Sequence, residues 1–238
     1  MPTTIDVVYA ALLLVVGTVY EFKYFWPRFR IAVAADRPGA RTGGYRRVLI
    51  GEWAFAIAAL VIWSAMRRTR QELSLTTPDG WRLVIAVVIV GLTLALFSLQ
   101  LWSLRRFSVE KRIAARPKLG SLDFILPRTA RDYRWFLALS ITAGFCEELL
   151  YRGYLPWIFA PWLGRVGALL FVAVLFGVGH LYQGRRGAIK ATLVGVSFVI
   201  ILLVTGSIIP GMIVHALVDM GGGTVGYLLF RDDDFVSS

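Results

Sequence analysis

From Leu83 to Leu104 the chain carries no ionisable side chain at all. A run of that length fits one situation: about 20 apolar residues in a helix cover the hydrocarbon core of a bilayer, whereas a helix of a water-soluble domain keeps one charged face. Similar runs recur along the chain. Val7 to Trp26 ends in an aromatic cluster (Tyr20, Phe22, Tyr24, Phe25, Trp26) holding Glu21 and Lys23, the composition of a membrane interface. It is not read as a signal peptide, because no basic segment precedes it and no small-residue cleavage site follows. Val48 to Met66 lies between Arg47 and Arg67 and is interrupted by Glu52. Another begins at Trp135 and meets Glu147 and Glu148 in mid-run, and further runs cover Val166 to Leu181, Ala191 to Val204 and Ile208 to Phe230. Thr205-Gly206-Ser207 with Pro210 marks the turn between the last two. The expected fold is all-α, a polytopic transmembrane helix bundle of about seven spans (six to eight), forming a single integral membrane domain over residues 1–238. Composition agrees, since 57% of residues are hydrophobic, 17% are charged and the mean hydropathy is +0.66. Soluble chains carry about 25% charged residues.

Twenty-six Lys and Arg against fifteen Asp and Glu give a net charge of +11. In a soluble domain that excess would raise nucleic acid as a partner; in a membrane protein it reflects basic cytoplasmic loops, and no nucleic acid is expected here. With alternate loops assigned to alternate sides, one side collects eighteen Lys and Arg, among them Arg28, Arg46, Arg47, nine between Arg105 and Arg134, and Arg185. The other side collects Arg67, Arg68, Arg70, Arg82 and Arg165. The N-terminus is therefore expected outside and the C-terminus in the cytoplasm, in a multi-pass protein of a bacterial inner membrane. The basic stretch Arg105 to Arg134 interleaves Phe107, Val109, Ile113, Leu119, Leu122, Phe124, Ile125 and Leu126, a pattern for an interfacial helix. Cys146 is the single cysteine, which excludes an internal disulfide and a multi-cysteine zinc site.

Ionisable groups inside spans cost at least a few kcal/mol and so point to function. They are Glu147, Glu148 and Arg152, then His180, then His215 and Asp219, and both histidines of the chain are among them. Residues four apart share a helix face. Glu148 can thus neutralise Arg152, leaving Glu147 free with Tyr151 on its face; Asp219 can reach His215, and Phe176 stacks beside His180. Structural readings exist for each: a buried Glu148–Arg152 pair, histidines as interhelical hydrogen-bond glue, Cys146 as a small helix filler. By the same logic Glu52 snorkels to the interface one turn inside Arg47, and Asp232, Asp233 and Asp234 form a solvated tail. What those readings leave unexplained is a carboxylate and two histidines on three separate spans.

That inventory suits water activation. A carboxylate shielded from bulk solvent can take a proton from water and hand it to a leaving amine, a histidine can share the task, and a second histidine can stabilise an oxyanion. The implied reaction is amide hydrolysis without a covalent intermediate. No cofactor is favoured. Zinc would draw on Glu147, His180 and His215, but the chain has no His-Glu-x-x-His. A proton-coupled transporter is a further reading, opposed by the short chain and the absence of an inverted repeat. A thiol protease through Cys146 is another.

Glu147-Glu148-Leu149-Leu150-Tyr151-Arg152, Phe176-Gly177-Val178-Gly179-His180 and His215-Ala216-Leu217-Val218-Asp219 resemble, in order, the EExxxR, FxxxH and HxxxN/D motifs of the CAAX protease and bacteriocin-processing (CPBP) family. The resemblance covers about Trp135 to Tyr227, within a set of catalytic helices over 135–230. It implies an intramembrane endopeptidase related to type II CAAX prenyl proteases, acting on a peptide or membrane-associated protein. By that resemblance Glu147 is the general base on water, His180 assists, His215 and Asp219 form the oxyanion site, and Glu148, Arg152, Tyr151 and Phe176 support the pocket. The family has been described both as metalloproteases and as glutamate-dependent proteases without metal; the missing zinc signature favours the second. Relatives linked to bacteriocin immunity and scaffolding make a non-catalytic membrane interaction protein the alternative. Asp219 departs from the Asn of eukaryotic prenyl proteases: an ionised aspartate cannot donate a hydrogen bond, though it can orient His215. His180 is expected near the cytoplasmic side, so either its span is shifted or Gly179 to Gly187 dips inward. The loop Gly153 to Gly164, with Pro156 and Pro161, is expected to be partly embedded.

Overall fold

The computed structural model describes residues 1–230, which are helical throughout their regular structure, with no strand among the described residues. Asp232, Asp233 and Asp234 lie outside them. In chain order the helices are α1 (Thr4–Ala34), α2 (Ala40–Ala65), α3 (Gly80–Arg105), the short α4 (Val109–Ala115), α5 (Ala130–Glu148), α6 (Leu155–Gly179), α7 (Arg185–Thr205) and α8 (Ile209–Phe230). Six helical stretches are long and apolar enough to cross a membrane, one of them the 54-residue Ala130–Gln183 that contains α5 and α6. That count lies within the expected six to eight. At 1.5 Å per residue the 54-residue stretch would be about 80 Å long, far more than one crossing. It is interrupted at Gly164, whose φ of 67° and ψ of 166° are not helical.

The segment Gly153 to Gly164 is a correction to the sequence reading: it is helical up to Gly164. A π-helical turn, Leu149–Tyr154, joins α5 to α6, and Leu155, Pro156 and Ile158 are buried. Pro156 directly follows the π turn inside this helical stretch, so the residue that looks like a loop marker does not break the helix. The expected interfacial helix is confined to α4, whose Val109 and Ile113 are exposed. Leu126 turns inward and is buried, and Phe124 packs on Trp26 and Phe29.

Around the site, α5 is the central helix. A capping box of Thr129 and Asp132 starts it, and Asp132 also accepts a 2.8 Å hydrogen bond from Thr42 on α2. Tyr45 meets Phe136, and Trp53 stacks on Phe145 while donating to Thr142 Oγ1 at 3.1 Å. Residue numbers rise together along this contact, so α2 and α5 run parallel. On the opposite side α8 lies against α5 at Gly144: a Cβ there would stand 2.6 Å from the Met212 carbonyl oxygen. Small residues let membrane helices approach to backbone contact, and this one lies one turn from Glu147 and Glu148. α6 packs on α7, and α3 packs on α8. Val84, Val87, Leu92, Leu96 and Leu99 of α3 remain exposed, the apolar surface that lipid covers.

The start of α1 is fastened to the rest by a fully buried carboxylate. Asp6 accepts from both Arg68 amines at 2.7 and 2.6 Å, from the Tyr154 hydroxyl at 2.7 Å, and from the Thr3 amide and hydroxyl. The Arg68 guanidinium lies over the Trp157 ring, 4.3 Å from its centroid. Removing one partner of such a pair strands the other, so Asp6→Asn is expected to lower stability by about 3 kcal/mol. The measurement is the unfolding midpoint in detergent micelles; an unchanged midpoint would show that the pair adds nothing.

Candidate active site

The ionisable groups of the first and third motifs meet where α5, the π turn, α7 and α8 converge. Glu148 is the innermost. Its Oε1 lies 3.0 Å from Arg152 Nη1, an ion pair along the helix, and accepts a 3.0 Å hydrogen bond from His215 Nδ1 across the α5–α8 contact. Arg152 donates through Nη2 to the Gly195 carbonyl at 3.3 Å, and its guanidinium sits between the Phe176 and Phe198 rings, at 4.5 and 5.2 Å. Gly195 makes this approach possible, since a Cβ there would stand 3.2 Å from Arg152 Nη2. Phe198 also stacks on the His215 ring, with 4.9 Å between centroids and 19° between planes. The imidazole is therefore fixed by a hydrogen bond at one edge and an aromatic ring on one face.

With Nδ1 committed to Glu148, Nε2 of His215 points the other way. It faces Glu147 Oε2 at 3.5 Å and Asp219 Oδ2 at 3.7 Å. Exposure separates two layers here. The side chains of Glu148 and Arg152 are 1% exposed and that of His215 6%, whereas Glu147 is 20% and Asp219 39% exposed. A buried chain thus holds one imidazole nitrogen against two partly exposed carboxylates.

His180 stands apart from this ionic group. It sits in a short 3₁₀ turn, His180–Gln183, after α6, and its ring lies 4.5 Å from Phe176. Phe176 in turn meets the Tyr151 ring at 5.2 Å and His215 at 6.2 Å, so it joins both histidines. His180 Nδ1 lies 2.8 Å from the Phe176 carbonyl oxygen. A carbonyl only accepts, so Nδ1 carries the hydrogen and a neutral ring keeps Nε2 as its acceptor. The turn is clamped from outside by α1: Trp26 stacks on Tyr182 at 3.7 Å, and Arg30 donates to the Tyr182 carbonyl oxygen. Among the described residues no three of His, Cys, Asp and Glu are grouped to hold a metal ion. Glu147, His180 and His215 form no such group, and in each histidine Nδ1 is held by an oxygen, which leaves Nε2 as its free nitrogen.

Of two further residues read from the sequence, Cys146 and Glu52, only the second differs from its reading. Cys146 is fully buried in the core cluster with Leu149, Leu150 and Ala56, as a filler would be. Glu52 does not reach the interface. Its Oε2 is buried without a hydrogen-bond partner, and the carboxyl group interacts electrostatically with Glu147 and Asp219. The available signal was spacing: Glu52 falls seven residues from both Tyr45 and Ala59 on the face of α2 that packs inward.

Residues 129–221 match a family model described as type II CAAX prenyl endopeptidase Rce1-like. No curated protein and no solved structure gave a match. The matched segment begins at the cap of α5 and ends inside α8, and it contains all three polar motifs while leaving out α1 to α3. The helices that bring Glu148, Arg152 and His215 together, and that carry His180, thus lie in the segment similar to the Rce1-like type II CAAX prenyl endopeptidase domain of the CPBP family.

Proposed function

We propose that the protein is an intramembrane endopeptidase that hydrolyses a peptide bond with water activated by Glu147. The observation that carries this reading is the buried Arg152–Glu148–His215 chain, which presents His215 Nε2 to the two accessible carboxylates. Glu147 accepts a proton from water as the water oxygen bonds to the scissile carbonyl carbon, with His180 Nε2 assisting as a second acceptor. The negative charge that develops on the carbonyl oxygen is met by a hydrogen bond from His215 Nε2, which carries a hydrogen in the imidazolium form that the facing Glu147, Glu148 and Asp219 carboxylates favour. Asp219, lacking the donor that Asn would supply, orients the imidazole instead. Collapse of the tetrahedral intermediate breaks the C–N bond, and Glu147 returns its proton to the leaving amine.

The substrate is a peptide segment of a membrane-associated protein, in keeping with a site between apolar helices. The chain forms one integral membrane domain whose catalytic helices cover 135–230, in a bacterial inner membrane with its N-terminus outside and its C-terminus in the cytoplasm. The excess of Lys and Arg on one set of loops supports that orientation. The test is cleavage of a lipid-tethered reporter peptide by purified protein in liposomes. His215→Ala is expected to slow it by about 100-fold or more, the usual cost of losing an oxyanion donor. Cys146→Ser is expected to leave it unchanged, because the thiol is buried among apolar side chains. Wild-type cleavage by the His215 variant, or loss in the Cys146 variant, would overturn the reading.

A further inference from the structure

Glu52 lies on α2, outside the matched segment, yet the fold turns it toward the motifs. Tyr45, Ala56, Ala59 and Trp63 form a buried stripe along α2, and Glu52 falls on it, one turn before Ala56. The neighbouring Trp53 is pinned to Thr142 and Phe145 of α5, which sets the rotation of α2 at this level. The titratable groups that interact with the Glu52 carboxyl are Glu147 and Cys146 from α5, Tyr151 from the π turn, Asp219 from α8 and Glu21 from α1. None of them is a cation. One carboxyl oxygen, Oε2, is buried with no partner.

A buried polar atom without a partner is rare in proteins and calls for a water or a proton. An ionised carboxylate placed among acids with no cation would also be costly. We infer, on the proposed hydrolysis, that Glu52 completes the water-holding part of the site: in its acid form it holds the nucleophilic water against Glu147. A carboxylic acid offers one donor and one acceptor. One water hydrogen goes to Glu147 as the C–O bond forms, and the other donates to the Glu52 carbonyl oxygen, leaving the attacking lone pair aimed at the substrate. The proton of Glu52 itself stays in place throughout.

This role sets apart two substitutions of Glu52. Glutamine has the size, donor and acceptor of a glutamic acid side chain but cannot accept a proton as a base. Glu52→Gln is therefore expected to keep kcat within about threefold of wild type, whereas Glu52→Leu, which holds no water, is expected to lower kcat by about 10- to 100-fold with KM little changed. Both are measured in liposomes on the reporter peptide, beside Glu147→Gln. Glu52→Gln as inactive as Glu147→Gln would overturn the inference, because it would mean that Glu52 works as an anion. Wild-type kcat in Glu52→Leu would overturn it too, by removing any role in holding water. If Glu147→Gln proves inactive while Glu52→Leu is fully active, only the role of Glu52 falls; if Glu147→Gln is fully active, water activation by Glu147 falls and the role of Glu52 falls with it.

Discussion

Glu147→Gln is expected to abolish peptide cleavage, with a fall of about 1,000-fold or more in kcat, while the protein remains folded. The substitution keeps the size of the side chain and its place beside His215 Nε2, 3.5 Å away. It removes the one property that the mechanism requires, a carboxylate able to take a proton from water. Stability should be nearly unaffected, because Glu147 is the partly exposed member of the paired glutamates and its contact with His215 is longer than a hydrogen bond. The same change at the adjacent Glu148 has a different profile. That side chain is 1% exposed and holds both Arg152 and His215, so Glu148→Gln lowers stability and slows cleavage by loosening the hold on the imidazole. The two assays, initial rate on a lipid-tethered peptide and unfolding midpoint in micelles, separate the glutamates. Cleavage by Glu147→Gln at an undiminished rate would remove water activation from this residue.

Leu83 to Leu104 and the helix Gly80–Arg105 agree to within a few residues, because the absence of charge marks a span directly. The intrahelical pairs were legible too: Glu148 with Arg152 and His215 with Asp219 follow from a spacing of four on one face. Their joining into one group was not. The hydrogen bond from His215 to Glu148 links residues far apart in the chain, and it depends on backbone contact at Gly144, a position that reads in the sequence as one small residue among many. Glu52 was hidden for a different reason. In water the buried face of a helix is apolar and the other polar, but in lipid both are apolar, so hydropathy does not reveal which way a residue turns. On α2 the exposed Ile50, Ile57 and Val61 are as hydrophobic as the buried Ala56, Ala59 and Trp63. The helical character of Gly153 to Gly164 was obscured by Pro156, which reads in the sequence as a loop marker yet sits inside a continuous helix just after the π turn.

Arg152→Met should produce the largest loss of stability of any single change at the site, about 3–5 kcal/mol. Methionine matches much of the apolar stem that lies between Phe176 and Phe198, so the effect isolates the charge. Without the guanidinium, the Glu148 carboxylate stays buried with His215 as its remaining hydrogen-bond partner among the described residues. An unpaired buried carboxylate costs more than the pair contributes, so the remedy is to remove the second charge as well. The double variant Glu148→Gln with Arg152→Met should therefore recover a large part of the lost stability, measured as the unfolding midpoint in micelles. Cleavage should not return with it. The neutral amide no longer holds His215 Nδ1 as a charged acceptor would, and Nε2 then lacks a fixed aim at the carbonyl oxygen. If the pair were only structural, restoring stability would restore the rate; a double variant that is stable but slow assigns the buried ions to positioning the imidazole.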